Sequence, residues 1–272
     1  MICVSFCRKC GAQLTDDGNF CSKCGTRVIS ETKPIEKHRV LNVTGRPKLV
    51  VSNTAPGSIK VDSGSEGQVT VDLDLRDPED LDCNISQDSD VITVNCRTRT
   101  GFWGWPLYIF KTGARVNILV SVPAEADLDL ETRAGRVAVA GVKGTIVAES
   151  SAGTVNIQDS KGTVKARTRA GSVKLKNVEG TISARTSAGS ITFSGALSKA
   201  ESWLRTSVGA IDISLRGQPD LTVEASTTLG SISCKPELTD ARFKRNWYTG
   251  RIGDGTGKLI AETKTGSITI RH

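Results

Sequence analysis

The feature that most constrains this chain is a spacing. Gly135, Gly153, Gly171 and Gly189 recur every eighteen residues, and Gly144, Gly162 and Gly180 fall midway between them. Residues 135–197 therefore divide into nine-residue halves of two alternating kinds. One kind reads "GTVNIQDSK" (153–161) and "GSVKLKNVE" (171–179); the other reads "GTIVAESSA" (144–152), "GTVKARTRA" (162–170) and "GTISARTSA" (180–188). A fixed period of this kind marks a chain built by stacking copies of one unit. Inside each half, apolar and polar residues alternate, which is the pattern of a short strand with one buried face. Third positions are β-branched, from Val137 and Ile146 to Ile182 and Ile191. Fifth positions are large in the first kind (Val139, Ile157, Leu175, Phe193) and Ala in the second (Ala148, Ala166, Ala184).

A unit of two short strands cannot bury its apolar face alone. Stacking solves this if each strand pairs in parallel with its equivalent one coil away. Large residues on one sheet then meet Ala on the other. The expected fold class is all-β, a parallel β-solenoid of about eighteen residues per coil with two short strands in each. An antiparallel sandwich would require neither the strict spacing nor the unlike halves. Gly141, Asp159, Asn177 and Gly195 hold one recurring position and predict a repeated left-handed turn. Thr132, Ser150, Thr168, Thr186, Thr206, Thr227 and Thr263 hold another and predict a hydroxyl ladder bonding coil to coil. Aromatic residues make up only 4% of the chain, which suits a thin core of Val, Ile and Ala.

The pattern extends to "VVSNTAPGSIKV" (50–61) as a first coil and to "KLIAETKTGSITI" (258–270) as the last. Less regular strands at 68–75, 90–99 and 115–123 read as a flanking or capping sheet within 62–123, with a hairpin turn at Asp88–Asp90. The repeat domain is placed at 46–272.

The N-terminal segment is of another kind. "FCRKCGAQLTDDGNFCSKCGTRV" (6–28) holds two Cys-x-x-Cys turns, Cys7/Cys10 and Cys21/Cys24, each followed by Gly. Four thiolates on two tight turns form the closed tetrahedral set that structural Zn²⁺ takes. The metal ligands are thus assigned as Cys7, Cys10, Cys21 and Cys24, the cofactor as Zn²⁺, and the site as structural because no coordination position is left open. A metal-folded ribbon over 5–28 followed by a polar linker over 29–45 reads as an independent unit on a tether.

These two stretches carry two resemblances. Residues 5–28 resemble the short zinc-ribbon domain found at the N-termini of prokaryotic proteins. Residues 45–271 resemble a bacterial adhesin-like β-repeat family, on the strength of 121–155 and the closing 257–270. That resemblance implies a β-solenoid-like fold, assigns no chemistry and supplies no catalytic residues.

Catalysis finds little support. The two histidines, His38 and His272, lie in the linker and at the last position. "GDGTGKL" (253–259) lacks the hydroxyl and glycine spacing of a phosphate-binding loop and reads as a tight turn into the last coil. The outward ladder Glu131, Glu149, Arg167, Arg185, Arg205 reads as cross-coil ion pairs of small net worth. Two aromatic clusters, 101–110 and 241–251, read as a cap or partner-binding patch and as an insertion loop.

The sequence thus predicts a non-enzymatic interaction scaffold with protein partners and scope for self-association. Nucleic-acid association through the ribbon and basic loops is the second reading, since the net charge of +7 is dispersed rather than clustered. A cell-surface, adhesin-like role is the third. No apolar run is long enough to span a bilayer. The four thiolates and the lack of a leader in "MICVSFC" predict a cytoplasmic protein.

Overall fold

The structure, a computed structural model, describes residues 10–12, 22–24, 35–99 and 113–272. The chain separates into two compact units, Met1–Pro34 and Ile35–His272. In the second unit the described residues form twenty strands and no α-helix.

The centre of the unit shows why the repeat is so strict. Strands β10 (Val155–Ala170) and β11 (Val173–Ala188) lie parallel, with Val155 opposite Val173, Gly162 opposite Gly180 and Thr168 opposite Thr186. Each partner is eighteen residues away, so identical positions stack directly. Strands β8 (Val137–Ala140) and β9 (Lys143–Ala152) pair with the two halves of β10 in the same way. β12 (Ile191–Leu197) and β13 (Glu201–Val208) continue the pairing beyond the two halves of β11. Inward-facing residues alternate along each strand, and Val137, Ile146, Val155, Val164, Ile182 and Ile191 are all fully buried.

The corners explain the glycines. The boundary glycines of successive rungs stack on one another with φ near +145°, for example +147° at Gly153 and +144° at Gly171 and Gly189. A Cβ on Gly171 would lie 2.0 Å from the Gly153 carbonyl oxygen. Only glycine allows so close an approach at that φ. The expected hydroxyl ladder takes a form of its own. Ser150, Thr168, Thr186 and Thr206 are buried, and each donates to the boundary-glycine carbonyl of the preceding rung at 2.9–3.1 Å. Thr132 finds no such partner, because the register of the preceding rung shifts between Asn53 and Pro56. The left-handed turn recurs at Gly141, Asp159 and Asn177. It does not reach Gly195, where a register shift after Lys176 sets Val178 opposite Gly195 and drops the turn residue.

Chain order and stacking order part company at both ends. After β14 (Ile211–Leu215), the chain forms β15 (Leu221–Leu229) and β16 (Ile232–Cys234). A hairpin follows, β17 (Thr239–Lys244) with β18 (Trp247–Ile252), and β18 pairs antiparallel with β15. Only then do β19 (Gly257–Thr265) and β20 (Ile268–Arg271) enter. β19 pairs between β13 and β15, and β20 between β14 and β16. The coil that closes the sequence is therefore interior to the stack. At the other end β2 (Lys48–Ser63) lies between β7 (Asp127–Ala134) with β8 on one side and β5 (Val91–Thr98) with β6 (Arg115–Val122) on the other.

Beyond β6, β3 (Gln68–Arg76) pairs antiparallel, and β1 (Ile35–Asn42) pairs antiparallel with β3. β4 (Leu81–Asp88) pairs antiparallel with β5. The flanking strands expected within 62–123 thus form one end of the unit. Residues 35–42, inside the stretch expected as linker, are a strand, and 241–251, expected as a loop, belong to the hairpin. Lys37 to Val40 of β1 are exposed, so no apolar alternation advertised that strand. The aromatic segment 101–110 lies outside the described residues. Cys83 and Cys96, scattered in sequence, face each other across β4 and β5 and are joined as a disulfide.

Candidate functional site

Two features can carry function: the thiol turns of the first unit and the outward faces of the second. Cys10 lies in a turn, and the residue after it, Gly11, has φ +69°. Cys24 closes a second turn, 22–24. A left-handed glycine directly after a cysteine is the local geometry that lets backbone N–H groups turn toward sulfur. Cys7 and Cys21, the other two assigned ligands, lie outside the described residues. A donor set of four cysteine thiols fits Zn²⁺ by its chemistry, and Cys7, Cys10, Cys21 and Cys24 are the residues that would hold the ion.

On the second unit, the sheet formed by β7, β9, β10, β11, β13 and β19 presents a straight column of charges. Its register places Glu131, Glu149, Arg167, Arg185, Arg205 and Glu262 in successive rungs. The ends of the basic run are neutralised: Arg205 reaches Glu262 at 2.9 Å and Arg167 reaches Glu149 at 3.9 Å. Arg205 also lies over the Trp203 ring, 5.4 Å from its centroid. Arg185 lies between Arg167 and Arg205 and forms no side-chain ion pair or hydrogen bond among the described residues. Arg169 and Lys165 flank Arg167 on the same face, exposed and likewise without an ionic partner there. A shallow groove of about 330 Å³ runs along this face, lined by Glu131 and Glu149 toward one end and by Arg167, Arg169 and Arg185 toward the other.

The C-terminal hairpin closes one end of the stack. Tyr248 packs on the core and against Cys234, whose thiol is pushed up by burial, partly offset by its hydrogen bond with Tyr248. Phe243 stacks on Tyr248 and is 73% exposed.

The remaining candidates take structural places. His38 Nδ1 meets Asp72 Oδ1 at 2.5 Å across β1 and β3, both side chains exposed, and His272 contacts the Gly217 carbonyl. In "GDGTGKL", Gly253 and Gly255 adopt positive φ and form the turn into β19. Asp220 accepts from the Gly255 and Thr256 N–H groups and the Thr256 hydroxyl. These hydrogen bonds, the Thr256 hydroxyl foremost, hold its carboxyl below the usual carboxylate range.

Sequence reading identified the charge column as a series of ion pairs but missed its unbalanced centre. The stacking position of Glu262 depends on the insertion of β19, which no local pattern announces.

The fold and these faces define an all-β protein of stacked, in-register rungs preceded by a thiol-rich module. The chain belongs to the family described as Toastrack DUF4097, which matches residues 117–271. Residues 6–28 match the zinc-ribbon domain. No curated protein matches the sequence. Among solved structures, a "putative cell adhesion protein" from Clostridium sporogenes ATCC 15579 overlays at TM-score 0.38 and 12% identity, over 88% of this chain and 99% of that one. A "putative adhesin" from Bacteroides fragilis NCTC 9343 gives 0.27 and 13%, over 87% and 97%. A "putative lipid binding protein" from Parabacteroides distasonis ATCC 8503 gives 0.27 and 10%, over 87% and 97%.

Proposed function

We propose that this chain is a non-catalytic interaction scaffold: a zinc-ribbon docking module joined to a β-solenoid that serves as a rigid binding platform. The observation that carries this reading is the in-register stacking of exposed residues on successive rungs, which holds side chains in straight, evenly spaced columns. Such a surface is fixed in advance, so binding to it costs little ordering entropy. The closed thiolate set supports a docking role for the ribbon, since a four-cysteine zinc site has no position left for substrate. Zinc-binding thiolates favour a cytoplasmic location, and the Cys83–Cys96 bridge weighs against it.

The test is capture of partners from a native lysate by the whole chain and by its Cys7→Ser/Cys10→Ser variant. Partners held by the whole chain and lost with the variant belong to the ribbon, and partners held by both belong to the platform. A chain that captures nothing, or that turns over substrates in a hydrolase and lyase screen, contradicts the reading.

A further inference from the structure

The charge column on the β9–β13 face breaks a rule of sheet construction. Like charges directly opposite one another on neighbouring strands are unfavourable. Rungs lie about 4.8 Å apart. Arg167, Arg185 and Arg205 nevertheless stand in three successive rungs. Their carboxylate partners lie only at the outside, Glu149 beyond Arg167 and Glu262 beyond Arg205. The two outer arginines are drawn away from the middle, and Arg185 is left without a counter-charge. Arg169 and Lys165 extend the uncompensated charge sideways on the same strand. Local violations of this kind mark places where a ligand supplies what the fold leaves out.

We propose that this face binds a linear, oxyanion-bearing polysaccharide, with Arg185 and Arg169 as its principal contacts. The arginine fork matches a sulfate or carboxylate in bidentate fashion. The register sets these arginines in adjacent rungs along one line, which suits a polymer that carries anionic groups at intervals rather than a single small anion. The surroundings are hydroxyl-bearing, with Ser151 and Ser187 beside the arginines in the groove. No apolar anchor of the kind that centres a protein interface lines it. Among the described residues, the ring beside the column is that of Trp203, and Arg205 lies over it, which disfavours stacking of a nucleobase there. Glu131 and Glu149 repel an anion at one end of the groove and limit how far the polymer extends.

This inference rests on the platform reading, and its test is separate from partner capture. Binding of heparin, polygalacturonate and neutral dextran to the full chain is measured by calorimetry. The same is done for Arg169→Ala/Arg185→Ala and for Lys174→Ala/Lys176→Ala. The lysine pair is exposed, carries the same charge and lies on the other half of β11. The expected result is salt-dependent binding to heparin or polygalacturonate and none to dextran. The arginine variant weakens it at least tenfold and the lysine variant less than twofold, with both variants retaining the parent circular dichroism and Tm. Equal weakening by both pairs would reduce the effect to net charge and overturn the proposal, as would no binding to either polyanion. Duplex DNA binding as tightly as the polysaccharides, with the same arginine dependence, would reassign the face to nucleic acid and also overturn it. Failure here leaves the platform reading to stand or fall on partner capture alone.

Discussion

At the scale of single residues, the fold depends on places where only one chemistry fits. Gly171 is such a place: its φ is +144° and a Cβ would collide with the backbone of the rung below. Gly171→Ala should lower stability by about 3 kcal/mol or more, combining backbone strain with a steric shift. Gly217 also has positive φ but has nothing within 4 Å of a Cβ, so Gly217→Ala should cost only about 1–2 kcal/mol. Urea unfolding of the two variants measures the difference. Thr168 is fixed by its bond to the Gly153 carbonyl, and Thr168→Val should cost about 1–2 kcal/mol by the same assay. The Asp220 carboxyl provides a pH signature. Its pKa is lowered in the fold, so its contribution is present above the ordinary carboxylate pKa of about 3.9 and is lost as pH falls through the lowered value. Amide exchange at Gly255 and Thr256, corrected for intrinsic rates, should rise on acidification below about pH 4. Asp220→Asn should show the faster exchange already at neutral pH.

At the scale of elements, the least expected result is that the closing coil is inserted between two others. β19 and β20 bring Leu259, Ile268 and Ile270 into the core, all fully buried. A chain ending at Thr256 should lose about 5 kcal/mol or more, from three large aliphatic side chains worth about 1.5–3 kcal/mol each. Chemical denaturation of the shortened chain tests this; a loss below about 1 kcal/mol would show that the rung is peripheral. The repeat was legible because a period of eighteen with alternating apolar residues admits few structures. Third positions, fifth positions and hydroxyl positions all point inward as their types require. The insertion was not legible, because β19 carries the same rung signature as its neighbours and a shared signature says nothing of order. β1 was hidden because its exposed side chains carry no periodicity. The pairing of Cys83 with Cys96 was hidden because the register of an antiparallel hairpin sets it, not sequence spacing. In the N-terminal segment, the Cys-x-x-Cys spacing made the match to the zinc-ribbon domain legible.

At the scale of the whole molecule, a stack held by repeated backbone pairing follows a segment that matches the zinc-ribbon domain. The two would make opposite demands on thiols: zinc held by Cys7, Cys10, Cys21 and Cys24 would require them reduced, while Cys83 and Cys96 form a bridge. Metal content and calorimetry on one sample decide whether the chain is two separately stabilised units. The expected result is one zinc per chain, lost in Cys7→Ser/Cys10→Ser, with the main unfolding transition of residues 35–272 at the same Tm after chelation. A chain that holds no zinc, or whose main transition collapses when zinc is removed, would contradict it.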